Sequence, residues 1–133
     1  MDLELRKDIA SVVTLWNVNG FKVASVESAE RVNCVAMSTA MEGINVNVVV
    51  GGMETGSIII WSGWDMSPVR KVNDSSSPIL SLVISPDSSY FLSGNQKGEL
   101  IAWGKKPGEK DKKGVISTAK FNPPVNVISV QSK

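Results

Sequence analysis

Hydrophobic residues fall in short runs along this chain, and polar turn formers bound nearly every run. Val and Ile dominate the runs, while Gly, Ser, Asn, Asp and Pro mark their ends, which is the pattern of half-buried strands. No window holds a helical i, i+3, i+4, i+7 spacing better than an alternating one. The pattern predicts strands over Val12–Trp16, Phe21–Val26, Val32–Ser38, Val46–Gly51, Ser57–Ser62 and Val69–Val72. It continues with Ile79–Ser85, Tyr90–Ser93, Glu99–Gly104, Val115–Ala119 and Val125–Val130. Asn19-Gly20, Thr55-Gly56, Ser85-Pro86-Asp87 and Lys97-Gly98 form turn-like joints between them. The reading is an antiparallel all-β chain.

The strands repeat as a set. Trp16, Trp61 and Trp103 are spaced 45 and 42 residues apart. Gly56-Ser57-Ile58-Ile59-Ile60-Trp61 aligns with Gly98-Glu99-Leu100-Ile101-Ala102-Trp103, and Gly52 aligns with Gly94. Val32–Ser38 aligns with Ile79–Ser85, and Val125–Val130 begins the same frame again. A period of 42–47 residues with four short strands per unit matches a WD-repeat β-propeller blade. Each glycine pair, Gly52/Gly56 and Gly94/Gly98, is expected to serve a tight hairpin between the second and third strands of its blade. Each Trp is expected to close the third strand at the blade interface.

The fold class is therefore all-β: a partial WD-repeat propeller of about two and a half four-stranded antiparallel blades. Residues 1–31 should end a preceding blade, and residues 32–78 form a complete one. Residues 79–120 form a second with a long basic loop, and residues 121–133 start a further blade. Propellers use 4–8 blades, so closure takes at least about 170 residues. The chain has 133. It cannot close a ring alone, and it reads as a slice of a longer protein.

Composition narrows the chemistry. There is no His, one Cys, and a net charge of +1. His-dependent nucleophilic catalysis, His zinc sites and cysteine metal clusters are excluded, as is an intrachain disulfide. Cys34 reads as a core thiol. Near-neutral charge gives no nucleic-acid footprint. No signal peptide or membrane-spanning stretch is visible, so the chain reads as cytoplasmic. Enzyme activity, cofactors, metal and a small-molecule substrate are not expected. Missing His and the lack of Asp after the repeat tryptophans (Asn17, Ser62 and Gly104 follow Trp16, Trp61 and Trp103) predict blades held by apolar packing and strand pairing alone.

A narrower resemblance rests on three stretches. Leu15-Trp16-Asn17-Val18-Asn19-Gly20 is similar to a strand-turn in the C-terminal WD repeats of BEACH-domain proteins. Cys34–Ser38 with Glu42–Val49 resembles the following blade of that family. The run Trp61-Ser62-Gly63-Trp64-Asp65-Met66-Ser67-Pro68-Val69-Arg70 is most like the family's lysosomal-trafficking-regulator branch. The resemblance implies a non-catalytic protein–protein interaction scaffold in vesicle and lysosomal traffic, acting on lysosome size. Upstream domains of the same parent chain would be among its protein partners. Its place would be the cytoplasm, at lysosome-related or endosomal membranes. The alternative is a generic WD-repeat scaffold, or a peripheral membrane-surface module.

Six residues are candidate partner contacts. Trp64 and Asp65 lie between the third and fourth strands of a blade. A Trp there serves either as an exposed anchor or, the favoured reading, folds over its own blade edge. Arg31, Glu54, Gln96 and Lys97 should lie on the rim where propellers commonly bind proteins. The segment Lys105–Lys113 carries five Lys and two acids. Interleaved acids and the lack of aromatics read as a solvated loop, with indirect or weak membrane contact.

Overall fold

A computed structural model describes residues 9–38, 47–73, 76–85 and 90–104, and the backbone of residues 115–120. Among the described residues, ten strands run in order: β1 Ser11–Trp16, β2 Lys22–Ser28, β3 Val32–Met37, β4 Val48–Met53 and β5 Ser57–Ser62. Then come β6 Pro68–Asn73, β7 Ile79–Ile84, β8 Tyr90–Asn95, β9 Glu99–Gly104 and β10 Val115–Lys120. No helix occurs among the described residues. Strands β1 and β2 make a two-stranded sheet, and two four-stranded sheets follow in the orders β3-β4-β5-β6 and β7-β8-β9-β10. All pairings are antiparallel. The expected strand Val125–Val130, residues Glu42–Val46 and the Lys105–Lys113 segment fall outside the described residues.

The repeat is written into the register. The β3–β4 pairing shifts between Val32 and Cys34, and the β7–β8 pairing shifts between Ile79 and Ser81, the matching place. The β1–β2 and β5–β6 pairings shift just before Trp16 and Trp61. The turns match as well: Gly56 N–H donates to Met53 O (3.1 Å) and Gly98 N–H to Asn95 O (3.1 Å).

The glycine pairs divide their work. Gly56 and Gly98 sit in the left-handed region (φ 91° and 84°), as the tight hairpins require. Gly52 and Gly94 do not share that role. They lie inside β4 and β8, which run on to Met53 and Asn95, past the expected ends at Gly51 and Ser93. Gly52 is small because the next sheet presses on it. A Cβ there would stand 2.4 Å from Ile79 Cγ2 and 2.8 Å from Cys34 Sγ.

Two apolar clusters join the sheets. Val50, Ile58, Ile79, Ile101 and Trp103 form the core between the four-stranded sheets. Val49, Met53, Trp61 and Met66 pack with Val13, Leu15, Ala24 and Val26 of the β1–β2 hairpin. Each four-stranded sheet thus stacks on the one before it, third-strand Trp inward. Trp61 and Trp103 are 2% and 3% exposed, but Trp16 is 59% exposed. The difference has a simple cause. Among the described residues, no sheet covers Trp16 and no strand lies beside β1 on the edge away from β2. Val12 and Val23 are exposed as well.

Buried polar groups add to the packing, so the blades are not held by apolar contact and strand pairing alone. The Trp103 Nε1–H donates to Ser93 Oγ at 2.8 Å. Asn95, 1% exposed, accepts from Glu99 N–H through Oδ1 (3.0 Å) and donates to Glu99 Oε1 (3.0 Å). At the surface of the other blade, Thr55 Oγ1 donates to Glu30 Oε2 (2.6 Å) and lies 3.3 Å from the buried Ser57 Oγ. Ser, Thr and Asn supply the polar staple for which the sequence offered no His-based version.

Candidate functional site

Strand direction sorts the turns into two ends. Strands β1, β5 and β9 all follow the same course through their sheets, so their starts lie at one end and their C-terminal turns at the other. The first end carries Arg31, Glu54, Gln96 and Lys97. All four are exposed. Glu54 N–H donates to Arg31 O (2.9 Å), and one repeat later Gln96 N–H donates to Pro78 O (3.0 Å). The backbone of each hairpin tip is thereby pinned to the residue that enters the first strand of its own sheet. Lys97 N–H is held by Ser77 Oγ (3.1 Å). Asn33 Nδ2 donates to both Glu54 Oε2 (2.9 Å) and Ile79 O (3.2 Å), linking the rim to the sheet interface. The side chains of this rim are free to meet solvent, but their backbones are fixed.

Glu30 belongs to this rim and was not singled out from sequence. Its carboxylate accepts from Thr55 and from Lys71 Nζ at 2.6 Å. It joins the segment after β2, the β4–β5 turn and the outer strand β6. The Lys71 hydrogen bond, with help from Thr55, holds the Glu30 carboxyl below its ordinary range. A lowered folded value means the pair's contribution is present above the unfolded value of 4.5 and lost as pH falls through the folded one. Lys71 is half exposed, so the contribution is no more than about 1 kcal/mol. Urea midpoints at neutral pH and on acidification should show a small acid loss in the parent chain that Glu30→Gln lacks.

Trp64 and Asp65 lie at the opposite end, in the β5–β6 turn. Trp64 does not fold over its blade edge: it is 83% exposed. The reason is the neighbouring Met66. Met66 adopts φ 61° and is 2% exposed, so the turn buries Met66 and swings Trp64 outward. Local bonds lock the arrangement. Gly63 N–H donates to Asn47 O (2.7 Å) and Met66 N–H to Ser62 O (2.9 Å). Asp65 Oδ1 accepts from Ser67 N–H (3.0 Å) and Ser67 Oγ–H (2.7 Å), and those donors hold its carboxyl below the ordinary range. Nothing in a hydrophobicity pattern marks Met66 as the buried member of Trp64-Asp65-Met66.

A left-handed non-glycine residue costs about 1–2 kcal/mol, and truncating a buried Met costs about 2–5 kcal/mol. Packing wins. Met66→Gly should relieve the backbone yet lower stability by about 1–3 kcal/mol, read from the urea midpoint.

Cys34 packs against the core between the four-stranded sheets. Burial pushes the Cys34 thiol up to about 11, which keeps it protonated at neutral pH. Among the described residues, no group of three or more acidic or Cys side chains is placed to hold a metal ion. No helix among them is long and apolar enough to cross a membrane.

Known proteins share this arrangement. No protein-family model matches the chain. Over 102 residues, 75% of its length, it is 39% identical to the human lysosomal-trafficking regulator. It is 33% identical to the lysosomal-trafficking regulator of Drosophila melanogaster over 56% of its length. It is 30% identical to BEACH domain-containing protein B of Arabidopsis thaliana over 67%. These matches span only 2–3% of the relatives' own lengths. Among solved structures it resembles the β-propeller domain of Myceliophteria thermophila Cps50 (Swd1), with TM-score 0.54 and 26% identity over 71% of this chain and 26% of that one. A chain of the mitotic checkpoint complex has the same fold, with TM-score 0.69 and 16% identity over 88% of this chain and 35% of that one.

Proposed function

We propose that this chain, which belongs to the BEACH-domain protein family as a stretch of WD-repeat β-propeller, is a non-catalytic scaffold segment that binds other proteins in lysosomal membrane traffic. The observation that carries the reading is the rim of Arg31, Glu54, Gln96 and Lys97. Exposed polar side chains stand there on backbones fixed by repeated hydrogen bonds. A fixed backbone loses little freedom on binding, so each contact made by its side chains counts more toward affinity. The names of the relatives support lysosomal traffic as the setting and the cytoplasmic side of lysosome-related membranes as the place. Partners would include proteins and the upstream domains of the parent chain.

The test uses the full-length parent carrying Glu54→Arg together with Lys97→Glu. Proximity labelling and lysosome diameter are compared with the wild-type parent. Loss of a defined set of labelled proteins with altered lysosome size is expected. Unchanged labelling and unchanged size at equal expression would remove the reading.

A further inference from the structure

The first sheet has two strands where the others have four, and a notch with two walls lies beside it. One wall is the edge of β1 away from β2, where no strand lies among the described residues. Asn17 N–H donates across the hairpin to Phe21 O (2.9 Å), and the bulge before Trp16 takes its extra residue, Val23, from β2. Alternation along β1 is therefore unbroken. It turns the backbone N–H and C=O groups of Val12, Thr14 and Trp16 toward the open edge.

The other wall is one face of β3. Val35 and Met37 belong to the rows Val35–Gly51–Ile59 and Met37–Val49–Trp61 across the second sheet. Ile59, Val49 and Trp61 pack on the β1–β2 hairpin, so Val35 and Met37 stand on that same face. The two-stranded hairpin is too narrow to cover them, and they are 53% and 48% exposed.

The molecule shows what fills such a place one repeat later. Leu82 and Ile84 occupy the matching positions of β7, and they pack into the core with Val48 and Val50 of β4 and Cys34 of β3. The strand that does this pairs with the Trp strand in a fixed register. Val49 of β4 stands opposite Trp61, and Phe91 of β8 stands opposite Trp103. Two residues further on comes a small residue. Gly51 leaves room for the Trp61 ring, and Ser93 accepts from the Trp103 indole. A glycine follows in both strands, and Gly52 shows why: Ile79 presses on it. Val32 holds the position in β3 that Ile79 holds in β7, so the notch makes the same demand.

We infer that the notch between β1 and β3 is a strand-binding site for an extended segment of a second polypeptide, seated antiparallel to β1. Register sets the sequence of that segment. It reads an aliphatic or aromatic residue opposite Trp16, then an aliphatic one, then Ser or Gly opposite Thr14, then Gly. Its backbone completes the hydrogen bonds of the β1 edge, and its second residue covers Val35 and Met37, as Val50 covers Leu82 and Ile84. The small third residue lets the Trp16 ring close over the strand. A row of unpaired backbone groups beside an apolar floor is met by another strand, whereas a helix has already satisfied its own backbone. This site is separate from the rim.

The test is fluorescence anisotropy of a labelled peptide that copies residues 90–96, titrated with the purified chain. Saturable binding is expected. The same peptide with Ser93→Leu should bind at least about tenfold more weakly, because Leu overfills the space beneath the indole. In the chain, Thr14→Pro removes an N–H from the open edge and none of the bonds to β2, so the hairpin should persist while binding is lost. Val35→Asp should weaken binding about tenfold by charging the floor. Circular dichroism establishes that each variant is folded. Absence of saturable binding by the folded parent overturns the inference, as does binding that neither Thr14→Pro nor the Leu peptide weakens. A parent that light scattering finds assembled, and that excludes the peptide, also overturns it and gives the notch to a second copy. Glu54→Arg with Lys97→Glu should bind the peptide as the parent does, so this site and the rim stand or fall separately.

Discussion

Trp103→Ala is expected to lower stability by about 3–5 kcal/mol, the range for emptying a large buried aromatic site. Three losses coincide at this residue. Its ring is 3% exposed within the core that joins the two four-stranded sheets. It stacks on Phe91, with centroids 6.1 Å apart and planes 12° from parallel. Its Nε1–H satisfies Ser93 Oγ, a hydroxyl 1% exposed that would lose this donor. Trp103→Phe should retain most of the packing and lose the hydrogen bond, so it should fall between the parent and the Ala variant. Urea midpoints measure the series. A Trp103→Ala midpoint close to the parent's would mean that the sheets do not stack as described. Trp16→Ala serves as the contrast: its ring is mostly exposed, so the cost should be far smaller.

Gly52→Ala is expected to cost about 2–3 kcal/mol, at the upper part of the range for overpacking. The new methyl would meet Ile79 Cβ at 2.8 Å as well as its Cγ2 at 2.4 Å. Rotating the Ile79 side chain cannot remove the first contact, so the sheets must separate or shift. Ile79 is itself 1% exposed in the shared core, and Asn33 donates to its carbonyl. The effect should be confined to stacking. Amide exchange within β4 and β5 should change less than the overall unfolding midpoint. Pairing Gly52→Ala with Ile79→Val should not recover the loss, because Val keeps both the Cβ and the γ-methyl that crowd the new group.

The sheet content was legible because each blade writes its strands between turn residues, and the Trp spacing revealed the stacking unit. The two glycines of each pair looked equivalent in sequence. They separate in three dimensions because one supplies positive φ and the other supplies room for a neighbouring sheet. Gly51 and Ser93 went unnoticed for a related reason. A Cβ on Gly51 would lie 2.6 Å from Trp61 Cζ3, while Ser93 bonds the Trp103 indole. The same place beneath the Trp is thus filled by absence in one blade and by a hydroxyl in the next, which a search for identical residues passes over. Trp64 was misjudged because burial preference is an average over sites. The backbone twist at Met66 decides this site, and that twist has no signal in residue type. Glu30, Thr55 and Lys71 come from three separate segments, so only the folded chain brings them together.

Strand order has a consequence for how the molecule is made. Within each four-stranded sheet, spatial neighbours are also neighbours along the chain. Loop closure inside a sheet is therefore short-range, and contact order is low for an all-β protein. Stacking one sheet on the next instead joins residues such as Asn33 and Ile79, 46 positions apart. As the chain emerges from the ribosome, each meander can zip up by itself and then settle on the meander already finished. Synthesis and assembly then proceed in the same direction, and each completed sheet is the template for its successor.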